Sequence, residues 1–188
     1  MDIIVPTTLT TAMMVSSNIA ENQYNEWQDG GFKALSAGAL NWRCLAKDAS
    51  NGIWAAVYGG DIYYAADGIN FVAQSVTTNK NWTGICVCPL TGDVYACIYN
   101  GSIWRKAYGG SWADLSETSR SWLNITADLS GNIYAVVLMQ DKIYRRASGA
   151  GTFDVWFDMP GGFVWYLSGL SIDNANGDVL THAYNVTN

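Results

Sequence analysis

Four tryptophans in step with four turns constrain this chain more than any other feature. Trp42, Trp82, Trp122 and Trp165 lie 40, 40 and 43 residues apart, and each opens the same pattern. The clearest copy is Ser121–Arg145, SWLNITADLSGNIYAVVLMQDKIYR. A Trp heads a β run, an Asp-x-x-Gly turn follows, and two further β runs end in Ile-Tyr-Arg. Asn81–Arg105 and Asn41–Tyr64 repeat it, and Val164–Asn185 carries its first half. A fixed period in this range marks an array in which each unit is one small sheet, stacked on its neighbours to bury both faces.

The copies divide at their turns. Asn51-Gly52, Thr91-Gly92-Asp93, Ser130-Gly131-Asn132 and Asn176-Gly177-Asp178 fall where a hairpin wants positive-φ residues. They predict second strands at Ile53–Tyr58, Val94–Tyr99, Ile133–Leu138 and Val179–Tyr184. Third strands follow around Ile62, Ile103 and Ile143, and fourth strands through Phe71, Trp112 and Phe153. Gly59-Gly60 and Asn100-Gly101 separate the second and third strands. Met139-Gln140-Asp141 replaces them in the third copy and predicts a longer hairpin there.

The two ends of the repeat region complete each other. Set against the tail of the second copy, Tyr24–Leu40 places Trp27 on Trp104, Gly30-Gly31 on Gly109-Gly110, Phe32 on Trp112 and Leu35 on Leu115. It is a second half with no first half, whereas the last copy is a first half with no second. Pairing strands from both chain ends closes a ring of sheets without an unpaired ladder. The expectation is therefore all-β: a four-bladed β-propeller over residues 24–188. Its blades are about 42–80, 81–120, 121–163, and 164–188 completed by 24–40. Trp27, Phe32, Val179 and Tyr184 form the closure. Residues 1–23, apolar but without sustained period and started by Pro6, are read as an extended N-terminal arm.

Composition excludes several classes. A net charge of −6 does not provide the basic face that nucleic acid requires. No run of about 18 apolar residues is present to insert into a membrane. Asp2 stands where a secretory signal carries positive charge, so the chain is expected to be made and kept in a cytoplasm. Cys86, Cys88 and Cys97 sit in or beside β runs and are read as buried free thiols. The sequons at Asn81, Asn124 and Asn185 follow from the repeat and carry no glycosylation reading.

No catalytic constellation emerges. His182 is the single histidine and occupies a strand position matching Cys97, so no zinc set, and no cofactor or metal site, is read. There is no Gly-x-Ser-x-Gly motif. Arg105, Arg145 and Arg146 follow the third-strand aromatic, where alternation points them outward, and the chain is expected not to be an enzyme. Asp48, Asp128 and Asp173 recur at the first turn and are assigned to capping its backbone. Trp42, Trp82, Trp122 and Trp165, with Trp27, Tyr63, Trp104 and Tyr144, recur once per unit and are assigned to packing between units. The non-periodic Tyr64, Tyr108, Trp156 and Tyr166 are left as candidate surface contacts.

The repeat, with its D-x-x-G-x-[IV]-Y turn, resembles β-propeller blades in general, a likeness of fold that carries no function. The segment Thr11–Trp27, TAMMVSSNIAENQYNEW, resembles a short opening module of tailed-bacteriophage virion proteins: Met-Leu/Val-x-Ser-Ser-Asn-Val/Ile, then an acidic residue, Tyr and Trp. Asn25 stands where that family usually has Pro. The resemblance implies a tail-, baseplate- or fibre-associated structural protein in the virion, fixed to a neighbouring virion protein through Met13, Met14, Val15, Ser16, Ser17, Asn18 and Ile19. Several symmetric copies per particle are expected. The alternative is a propeller lectin that recognises host surface glycans.

Overall fold

The computed structural model describes residues 40–77, 79–158, 165–173 and 175–185. The expected arm, with Met13, Met14, Val15, Ser16, Ser17, Asn18 and Ile19, lies outside these residues, as do Trp27 and Phe32. The described residues hold fourteen strands and no helix.

Three antiparallel meanders of four strands follow one another. Unit 1 contains β1 (Trp42–Lys47), β2 (Ile53–Gly60), β3 (Ile62–Ala65) and β4 (Val72–Ala73). Unit 2 contains β5 (Lys80–Val87), β6 (Val94–Gly101), β7 (Ile103–Lys106) and β8 (Trp112–Asp114). Unit 3 contains β9 (Arg120–Ala127), β10 (Ile133–Val137), β11 (Lys142–Arg146) and β12 (Asp154–Asp158). A hairpin of β13 (Trp165–Asp173) and β14 (Asp178–Asn185) ends the chain. The second and third strands fall where the turn residues predicted them. The hairpin after β10 is one residue longer than its counterparts, as Met139-Gln140-Asp141 implied: Cys97 opposes Ile103, while Val136 opposes Ile143.

Short bridges join the units. Tyr58 and Gly60 pair with Asn81 and Lys80, and Tyr99 and Gly101 pair with Ser121 and Arg120. The two bridges merge the three meanders into one twelve-stranded sheet whose ends are not paired to each other. First strands lie side by side, β1 against β5, β5 against β9 and β9 against β13. Residues of all four line a cavity of about 390 Å³, from Cys44–Lys47, Ile85–Val87, Asn124–Ala127 and Leu170. The second strands of units 1–3 are buried along Ile53–Val57, Val94–Ile98 and Ile133–Val137. Strands covered on both faces read as continuous apolar runs, not as alternation.

The periodic tryptophans do two jobs where one was expected. Each first meets the third-strand aromatic of its own unit edge-on: Trp42 with Tyr63 at 5.1 Å, Trp82 with Trp104 at 6.2 Å, Trp122 with Tyr144 at 5.3 Å. In units 2 and 3 the Trp then joins a core shared with the preceding unit. Trp82 packs with Trp54, Ala56 and Ile62, and Trp122 packs with Cys86, Tyr95 and Cys97. Packing between units, as expected, is thus joined by pairing within a unit, because first- and third-strand side chains share one face of the same sheet.

A bulge recurs one residue after each of these tryptophans, leaving Arg43, Thr83 and Leu123 outside the ladder. In the terminal hairpin the bulge falls between Leu167 and Gly169. Leu167, not Trp165, therefore holds the equivalent position, and the 43-residue final spacing is corrected to 45. The bulge at Thr83 has a visible purpose. Its Oγ1 donates to Trp122 O at 2.8 Å, tying unit 2 to unit 3 through a buried hydroxyl. Re-aiming one side chain is what such an extra residue does.

Candidate functional site: a cleft between units 1 and 2

The first turns are built from their own acids. Asp48 Oδ1 accepts from Ser50 N and Gly52 N at 2.9 and 2.8 Å, and Asn51 takes φ 68°. Asp128 Oδ1 accepts from Asn132 N at 2.8 Å, and Asp173 Oδ1 from Ala175 N at 2.9 Å. The capping role expected for these residues is what the geometry holds. In unit 2 Cys88 occupies the Asp position and the turn is one residue longer, closing on Asp93. Asp93, buried, accepts both Arg105 Nε and Nη2 on Oδ2, at 2.9 and 2.7 Å, and Tyr108 N on Oδ1 at 2.8 Å. That ion pair holds the Arg105 guanidinium above its ordinary pKa, against the opposing effect of its partial burial.

Between these two turns opens a cleft of about 740 Å³. Unit 1 contributes Lys47, Asp48, Trp54 and Tyr64; unit 2 contributes Lys106 and Tyr108, among others. Trp54 and Tyr64 stack with centroids 4.4 Å apart and planes 31° from parallel. Tyr64 OH donates to Asp48 Oδ2 at 2.9 Å. Desolvation, then that bond, raises the phenol above its usual pKa, so it stays a neutral donor. A Cβ on Gly52 would lie 2.3 Å from Tyr64 Oη, so only glycine lets the ring lie across the turn. On the facing wall Tyr108 is 81% exposed and lies over Gly92, where a Cβ would sit 2.8 Å from the ring. Ligand pockets are lined by aromatic faces beside a few polar groups in a concavity, which makes this cleft the candidate site.

The next interface shows what the repeat does with the same space. There Tyr95 takes the place of Trp54 and Arg146 the place of Lys106. Arg146 Nη1 reaches back to Tyr95 OH at 3.2 Å, with the guanidinium 5.9 Å from the ring centre. Leu90 meets Gly131 across the gap: a Cβ there would be 2.8 Å from Leu90 Cδ2. Lys106 instead donates to Gly110 O in its own unit. The gap between units 2 and 3 is bridged by an arginine, and the one between units 1 and 2 is open. Arg105 and Arg146, expected to point outward, are turned into the turn and the interface because buried or ring-bearing partners await them there.

Of the four candidate contact residues, the structure brings Tyr64 and Tyr108 to one cleft. Trp156 is elsewhere, on the outer strand β12, 5.1 Å from Tyr134 and under Arg145 at 5.8 Å. It shares that strand with the exposed Val155 and Phe157. For Tyr166 and Tyr184 the backbone alone is described, and the two residues oppose each other across β13 and β14. Val179 packs with Ile172 against Tyr134, Val136 and Ile143 of unit 3. Sequence reasoning missed Trp54, Lys47 and Lys106. Their signal was departure from the repeat: Tyr64 stands where units 2 and 3 carry Arg105 and Arg145, and Lys106 stands where unit 3 carries Arg146.

No family model and no curated protein sequence matches the chain. Solved structures do. A nidogen/laminin complex aligns at TM-score 0.64 and 16% identity, over 78% of this chain and 58% of that one. Virginiamycin B lyase from Staphylococcus aureus aligns at 0.61 and 13%, over 74% and 48%. YCF48 bound to D1 peptide aligns at 0.58 and 10%, over 76% and 48%. The fold is β-propeller-like. The chain spans about half the length of the structures it resembles, and their functions differ, so the likeness is one of architecture. Among the described residues no cluster of three or more His, Cys, Asp or Glu could hold a metal ion.

Proposed function

We propose that this chain is a non-enzymatic structural component of a tailed-phage virion, attached through residues 1–23 to a neighbouring tail, baseplate or fibre protein. The propeller then presents a rigid surface to another protein or to the host. The observation that carries this reading is the residue-by-residue likeness of Thr11–Trp27 to the opening module of such proteins. Four blades closed by residues 24–40 beside β14 belong to the same proposal. One cavity lined by all four first strands supports it, and so does the second edge of β14, which has no partner strand among the described residues. The test is to remove residues 1–20 and search purified particles by mass spectrometry. Full-length protein in the particles and truncated protein left outside them is the expected result. Particles that take up both forms equally would overturn the anchoring role.

A second reading, glycan binding, is favoured by the cleft between units 1 and 2. Tyr108, and Tyr64 backed by the buried Trp54, offer ring faces of the kind on which a sugar's C–H groups pack, and the adjoining Lys47 and Lys106 supply hydrogen bonds. The two readings are compatible, since a virion-bound propeller can carry a sugar site.

A further inference from the structure

Resting on that glycan-binding reading, we infer that the cleft between units 1 and 2 selects sugars bearing an acidic group, a carboxylate or a sulfate, through Lys47 and Lys106. The charge on its walls is the argument. Asp48, the acid in the lining, spends both oxygens within its own unit, on Ser50 N and Gly52 N of its turn and on Tyr64 OH of β3. A carboxylate so engaged has little capacity left to bind a cation or a sugar hydroxyl. Lys47 stands exposed at the end of β1, and no ion pair among the described residues involves it. Lys106 uses one donor on Gly110 O, and an ammonium carries three. The cleft therefore holds two cationic groups against one internally committed anion, in a chain whose net charge is −6.

The repeat supplies the comparison that makes this a site. At the interface of units 2 and 3 the equivalent cation, Arg146, lies across the gap, with Nη1 on Tyr95 OH and the guanidinium beside the ring. Between units 1 and 2 a shorter, more mobile cation replaces it, Tyr64 replaces an arginine, and Tyr108 stands 81% exposed across the gap. Each change removes a group that would fill the space or adds a ring that faces it. A pyranose seated on Tyr108 and Tyr64 would share the cleft with both ammonium groups, since all four side chains line it. Charge-assisted hydrogen bonds are the strong ones in such a partly desolvated place.

The test uses the full chain, an array of neutral, uronic-acid-containing, sialylated and sulfated glycans, and titration calorimetry on any hit at two salt concentrations. The variants are Lys47→Gln with Lys106→Gln, and Tyr108→Ala, each checked for unchanged melting. Acidic glycans should bind, and the double lysine variant and added salt should each weaken them by about tenfold. Tyr108→Ala should remove binding to every glycan. Neutral glycans bound as tightly, with loss only in Tyr108→Ala, would overturn the acid selectivity and leave glycan binding standing. Binding untouched by any variant would place the site elsewhere and overturn the inference. No glycan bound at all would overturn both.

Discussion

Thr83→Val separates the inter-unit staple from ordinary packing, because it keeps the shape and removes the hydroxyl. Thr83 is 7% exposed, and its Oγ1 lies 2.8 Å from Trp122 O and 3.3 Å from Cys97 O. The first of these carbonyls belongs to the neighbouring unit. Valine would put a methyl where the hydroxyl was, against an oxygen at hydrogen-bonding distance. It would also leave a buried carbonyl without that donor. A net hydrogen bond is worth about 1 kcal/mol, and an unsatisfied buried polar group costs a further 1–3 kcal/mol, so the loss should be about 2–4 kcal/mol. Thr83→Ser keeps the donor and sheds one methyl, at about 1 kcal/mol. The prediction is thus an inversion of apolar preference at a buried position, with valine worse than serine. Urea unfolding gives the differences, and for a domain of this size each kcal/mol moves the melting temperature by about 2–4 °C. A valine variant as stable as wild type, or more stable than serine, would refute the staple.

Two further outcomes follow from equivalent positions that differ in one atom's surroundings. Trp82 and Trp122 are both buried, but Trp82 Nε1 donates to Gly60 O at 3.2 Å while Trp122 Nε1 has no partner among the described residues. Trp82→Phe should therefore cost about 1 kcal/mol more than Trp122→Phe in denaturant unfolding, and equal losses would count against the geometry. Burial pushes the Cys97 thiol up from 9.0 to about 12, so the fold keeps it protonated where the unfolded chain would ionise it. Its contribution is intact below pH 9 and lost as pH rises from 9 towards 12. Wild type should lose about 1 kcal/mol more than Cys97→Ala between pH 9 and 10, read from paired melting curves, and parallel curves would refute this.

The architecture was legible because it is written several times. Positive-φ turn residues, a Trp, and an aromatic two strands later recur in register, and recurrence is the part of a sequence that packing cannot hide. The bulge was not legible, since Arg43, Thr83 and Leu123 share no chemistry and only the backbone ladder shows that each is skipped. Reading Trp165 as the fourth opening residue failed for the same reason. Aromatic identity was matched where strand register decides, and Leu167 fills that place. The arginines were misjudged because alternation along a strand predicts a face. It does not say that the face meets a buried aspartate or a neighbouring unit's tyrosine.

The cleft lies in the other half of what a repeat can tell. Positions that recur are fixed by stacking, so a position that breaks the pattern is released from that duty. Tyr64 and Tyr108 were picked out from sequence on that ground alone, and the structure sets them on one cleft although 44 residues separate them. Trp156 was picked out by the same rule and lies on the outer strand with Val155 and Phe157, away from the cleft. Non-recurrence therefore nominates residues without saying which of them meet. What decides is the turn chemistry beneath. Gly52 and Gly92 each make room for a ring that a Cβ would displace, so the two tyrosines are placed by glycines in the first turns of adjacent units. A site assembled from paired turn glycines and departing aromatics is a feature of two neighbouring repeats, and neither repeat alone contains it.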